Sequence, residues 1–176
     1  MKDVTSTSFG LVIAFLLPGM VGLFAVSFWF PALSNLFITF SKIESNLGLF
    51  FMVILASVAV GLELTVIRWG LFEILLCRKF RLRAEDFANL NSEKNLESFR
   101  ACVDEHYRYH QFWGEMSVNI PILYAGWIRS LSENTEEHMK FICILLFLLL
   151  ECLTIIAARQ SYINYIMRAR KILKGE

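Results

Sequence analysis

The sequence predicts an all-α integral membrane protein: four spanning helices, a short helical cytoplasmic segment between the second and third, and a basic amphipathic helix at the C-terminus. Three observations carry this. Apolar residues make up 56% of the 176-residue chain and charged residues 19%, and mean hydropathy is +0.54. Soluble domains run at about 45–50% and about 25%. The apolar residues stand in blocks as long as a bilayer is thick. Lysine and arginine are distributed unevenly around those blocks.

The first expected span, 9–30, runs uncharged from Phe9 to Phe30, enough to cross roughly 30 Å of hydrocarbon. It is long for a signal-peptide core and Asp3 offsets Lys2, so it is expected to remain as a helix despite the small residues Ala25 and Ser27. The second span, 47–69, continues apolar to Leu76, interrupted by Glu63, Arg68 and Glu73; Gly70 to Cys77 are read as its continuation along the interface.

The third span, 112–131, holds Glu115, Asn119, Pro121 and Arg129, and hydropathy alone leaves it ambiguous. Charge decides. With four spans, fourteen Lys/Arg residues lie at or inside the cytoplasmic boundary and three (Lys42, Arg129, Lys140) outside. With three, the tail RARKILK would face outward, against the positive-inside tendency. The acidic loop SENTEEH suits the outer face. Trp29 and Trp127 fall at the outer boundary and Trp69 and Trp113 at the inner one, as an aromatic belt requires. The fourth span, 141–158, is interrupted by Glu151 alone. Both termini are then cytoplasmic, and 1–176 is one membrane domain.

Two cytoplasmic pieces remain. Segment 78–111 starts with RKFRLR and reads as helix from about Leu96, with Phe99, Val103, His106, His110 and Trp113 at spacings of four and three. In the tail, 160–176, Tyr162, Ile166, Ala169 and Leu173 share one face, and Ser161, Asn164, Arg168 and Lys171 another. Such a basic amphipathic helix is expected to lie on anionic headgroups.

Small residues recur in the first span as Gly10, Ala14, Pro18 and Gly22, and in the second as Ser57 and Gly61. They are candidates for close helix packing, within a subunit or between subunits; Pro18 removes one helical hydrogen bond. Glu63, Arg68, Asn119, Glu151 and Arg159 form a candidate intramembrane polar cluster. Carboxylates in lipid cost several kcal/mol, so the glutamates should face protein or water, as a structural network or as the lining of a path. Arg100, His106, Arg108 and His110 are candidates for binding a cytoplasmic partner. His106 and His110, four apart, share a helix face as a metal pair would, but no third ligand shares their stripe, and no metal or other cofactor is expected.

Enzyme motifs are missing: no G-x-S-x-G, no H-E-x-x-H, no phosphate-binding glycine loop. No histidine or aspartate falls inside a span to serve an intramembrane protease, so no enzyme is expected. The four cysteines lack C-x-x-C spacing; Cys77 and Cys102 are read as reduced cytoplasmic thiols and Cys143 and Cys152 as packing residues. Nothing points to a nucleic-acid partner.

Two stretches, SFGLVIAFLLPGM at the start of the first span and EHYRYHQFWGEM before the third, resemble a group of uncharacterised bacterial multi-pass membrane proteins that accompany mobile elements or phage-defence modules. The resemblance covers about 25 residues and implies a bacterial inner-membrane sensor or effector. Two functional expectations follow. One is an oligomeric sensor or effector, pore-forming in one version. The other is a membrane-anchored subunit that recruits a cytoplasmic protein through 78–115 and the basic tail.

Overall fold

The computed structural model describes residues 10–42, 47–77, 82, 86–87, 93–131 and 137–174. The expected start of the first span at Phe9, most of RKFRLR, the first residues of SENTEEH and the last two of the tail lie outside the described residues. Among the described residues there is no strand. They form α1 (Val12–Ser27), α2 (Pro31–Lys42), α3 (47–76), α4 (93–130) and α5 (Glu137–Lys174).

Two of these helices, α3 over Leu47–Leu75 and α5, are long and apolar enough to cross a membrane. A third crossing exists if α1 and α2, bent by 117° at the turn between them, count as one broken span. The expected third span at 112–131 does not pass that test. Its polar residues are the reason, and their placement is described below.

Helix α1 opens with a π-helical stretch, Val12–Leu16, in which the Leu17 N–H reaches the Val12 carbonyl five residues back. Pro18 has no N–H to give, and the widened turn just before it absorbs that loss. The helix stops at Ser27, earlier than expected. Trp29 and Phe30 N–H groups both close on the Val26 carbonyl, and Pro31 starts α2, the position at which proline's fixed φ suits a helix. The sequence predicts no helix here; Phe37 packs edge-on against Phe24 of α1, with ring centroids 6.1 Å apart.

The small residues place α1 directly on α3 and α4. A methyl on Gly19 would strike the Ser57 carbonyl oxygen, and one on Gly61 the Phe15 carbonyl oxygen. Ala14 and Pro18 are buried, and the space beside Gly22 is taken by Asn119 Oδ1, 2.9 Å from where a Cβ would sit. Gly10 lies against the Arg108 side chain. The stripe Gly10, Ala14, Pro18, Gly22 and the pair Ser57, Gly61 therefore pack inside one chain. Gly126, not singled out earlier, lets Phe28 and Trp29 close over α4; a Cβ there would be 2.6 Å from that of Phe28.

Two boundaries differ from expectation. The helix expected in the cytoplasm and the third expected span form one uninterrupted helix, α4, with a π turn at Val103–Tyr107 between Glu93–Cys102 and Arg108–Ser130. The fourth expected span and the tail are likewise a single 38-residue helix, about 57 Å long at 1.5 Å per residue. That exceeds the hydrocarbon thickness of roughly 30 Å, so α5 projects well beyond it. The apolar face of the tail does not lie on headgroups. Tyr162, Ile166, Ala169 and Leu173 continue the buried stripe begun by Thr154 and Ala158, and it packs against 93–107 of α4.

Candidate functional site

A charged cluster closes the bundle where α3, α4 and α5 meet, at the Arg68 end of the membrane-length stretch of α3. Arg68 and Glu73 come from α3, five residues apart. In an α-helix that separation turns side chains about 140° away from each other. Here the helix changes to π geometry at Trp69–Leu76, which returns the fifth residue to the same side. Arg68 Nη1 then donates to Glu73 Oε1 at 2.9 Å.

Helix α4 supplies the other side. Tyr107, at the end of its π turn, donates its hydroxyl to the same Glu73 oxygen at 3.0 Å, and the Arg68 guanidinium lies 5.7 Å from the Tyr107 ring centre. His110 is fully buried. Its Nδ1 sits 2.9 Å from the Ala158 carbonyl of α5 and its Nε2 2.9 Å from Arg68 Nη1. A carbonyl only accepts and a guanidinium only donates, so His110 is neutral with its proton on Nδ1. One imidazole thereby ties all three helices together. Gly114 leaves room for the arginine; a Cβ there would lie 2.7 Å from Arg68 Cγ.

Glu115 occupies the deeper end. Thr65 donates to its Oε1 at 2.7 Å, and Arg68 Nε stands 3.9 Å away. Glu115 Oε2 and Arg68 Nε have no hydrogen-bond partner. The cluster thus sets one guanidinium between two carboxylates, with Arg68 1% exposed, Glu115 0% and Glu73 12%. Burial raises the Tyr107 hydroxyl above its ordinary value, Arg68 working against the shift and Glu73 with it, so Tyr107 stays a proton donor. Outside the cluster, burial and nearby Arg168 hold His106 below its ordinary value, with Glu105 opposing.

Of the five residues of the expected intramembrane polar cluster, only Arg68 belongs here, joined by His110 from the partner-binding set. Glu63 and Arg159 are exposed. Asn119 is buried higher up and donates from Nδ2 to the Pro18 carbonyl at 2.8 Å. Glu151 is half-buried on α5, with Oε2 unpartnered. Among the proposed partner-binding residues, His110 is enclosed and has no surface to offer. Arg108 pairs with Asp104 at 2.6 Å, His106 is half-buried, and Arg100 is exposed. Glu73, Tyr107, Glu115 and Thr65 were missed as members of the cluster. No known protein family, curated protein or solved structure matches this chain.

Proposed function

We propose that the chain is a four-span membrane protein that acts as an oligomeric sensor or effector, its copies meeting over the face of α3 that carries Glu63. The observation that carries the oligomer is Glu63 itself: exposed, within a helix whose outward side chains Leu55, Leu62, Val66 and Ile67 are all apolar. A carboxylate facing hydrocarbon costs about 3 kcal/mol by insertion scales; covering it with another copy, or with water held between copies, removes that cost. In the pore-forming version the path runs between copies, since Arg68, Glu73, Tyr107 and His110 inside one chain are engaged with one another.

The fourth span draws on α4. Its buried face is polar (His110, Gln111, Glu115, Ser117, Asn119), while Tyr109 and Ile128 point outward. That inversion fits a helix inside a lipid-embedded bundle, where polar groups turn to protein, and the Lys/Arg asymmetry then favours cytoplasmic termini in a bacterial inner membrane. In the sensor reading, the Arg68 cluster couples the membrane helices to the α4–α5 projection, in the setting of a phage-defence or stress module.

Chemical cross-linking in membranes and mass measurement in detergent test the oligomer. Wild type should assemble, and Glu63→Leu should shift the dissociation midpoint at least roughly tenfold with a folded monomer. A wild-type chain that stays monomeric at every concentration sinks the reading. A second reading, a membrane-anchored subunit that docks a cytoplasmic protein, draws on exposed Arg100 in the projection; there Arg100→Glu rather than Glu63→Leu would abolish function.

A further inference from the structure

We infer that the cytoplasmic mouth of the bundle is a binding site for a small organic cation, an ammonium group seated among tyrosine rings beside the Glu73 carboxylate. The inference rests on the sensor reading and names the ligand class for it. A cavity of about 240 Å³ lies just outside the charged cluster, lined by Glu73, Phe87, Tyr107, Tyr162, Tyr165 and Ile166 among others. It is smaller than the roughly 300–1,000 Å³ of pockets that take drug-sized ligands, so the occupant is small.

Its walls are aromatic on several sides. Tyr165 sits 5.0 Å from Tyr107 and 6.3 Å from Tyr162, centroid to centroid. Phe99 extends the set, 6.4 Å from Tyr165 and 5.9 Å from Phe87. Ring faces are the negative ends of aromatic quadrupoles and attract a cation within about 6 Å of the centroid. The Arg68 guanidinium, 5.7 Å from the Tyr107 ring centre, already uses one face in this way. Burial, then Tyr107, Cys102, Tyr162 and Glu73, keep the Tyr165 hydroxyl above its ordinary value, so the ring remains a neutral phenol.

Glu73 is the charged side chain among the described residues lining this cavity, and its sign excludes anions. Its Oε1 is held by Arg68 and Tyr107. A second positive charge beside it competes with Arg68 for that carboxylate. Arg68 Nη1 also holds His110, which in turn holds the α5 backbone. Ligand arrival thus acts on the joint between the membrane helices and the cytoplasmic projection.

The test uses choline and its neutral isostere 3,3-dimethyl-1-butanol, titrated calorimetrically into the full chain in detergent. Choline should bind at least roughly tenfold tighter than the alcohol. Tyr165→Leu should weaken choline by about three- to thirtyfold, the range of a desolvated cation–ring contact; Tyr165→Phe, which keeps the ring, should not. Equal affinities, unchanged binding in a folded Tyr165→Leu chain, or no choline binding by wild type each overturn the inference. Oligomeric state measured on the same samples separates the two proposals: an intact oligomer that ignores choline removes the cation site alone, and a monomer that binds choline removes the oligomer alone.

Discussion

Arg68→Met keeps an unbranched stem in the channel beside Gly114 and deletes the guanidinium. Two bonds disappear, 2.9 Å to Glu73 and 2.9 Å to His110, each worth roughly 1.5–3 kcal/mol where one partner is charged. Counted differently, a buried ion pair stripped of one partner costs about 3–5 kcal/mol because the remaining charge is stranded. The two routes agree on a loss of about 3–5 kcal/mol, or about two to three and a half powers of ten in the folding equilibrium. The assay is unfolding in mixed micelles by titration with a denaturing detergent, followed by circular dichroism. Arg68→Met with Glu73→Gln should recover about 1.5 kcal/mol or more, because contacting residues couple and the amide strands no charge. Glu63→Gln should add to Arg68→Met without coupling, since the polar partners of Arg68 are Glu73, His110 and Glu115 rather than Glu63. An Arg68→Met chain within about 1 kcal/mol of wild type would refute the cluster as a stabilising joint.

Gly61→Ala should destabilise by about 1–3 kcal/mol in the same titration, because its methyl meets the Phe15 carbonyl and forces α1 off α3; Gly70→Ala, with nothing within 4 Å of the added carbon, should be neutral. Reporters inserted at Asn134 and fused after Lys174 should report opposite sides of the membrane, and both on one side would end the four-span arrangement. Lowered in the folded chain from 6.5 by burial and Arg168, His106 makes the unfolded state the better proton acceptor, so acidification through pH 6.5 and below should reduce the melting temperature. His106→Gln should flatten that part of the profile, and an unchanged slope would assign it elsewhere.

The helices legible as spans in the sequence are those whose outward side chains are apolar. Helices α3 and α5 announce themselves because Leu55, Leu62, Leu145, Leu149 and Ile156 point outward and no polar residue is tolerated between them except at a cost. Helix α4 is hard to read for the opposite reason. Surrounded by α1, α3 and α5, it turns Glu115, Asn119 and His110 inward to partners, and a hydropathy average counts those residues against it. The charged cluster was illegible because its register is not α-helical. Arg68 and Glu73, five apart, read as facing different ways until the π turn at Trp69–Leu76 is known. The π turn at Val103–Tyr107 likewise rotates the faces before and after it, so the His106–His110 stripe that suggested a shared surface is split, one ring half-buried and the other enclosed. Pro18 gives a local chemical reason for the first π turn; no residue in 69–76 or 103–107 does. Those two are stabilised by what they align, a guanidinium with two carboxylates and an imidazole drawn from distant parts of the chain. A sequence read locally registers the charges but not the helix register that pairs them, so the joint of this molecule becomes visible only when α3, α4 and α5 are brought together.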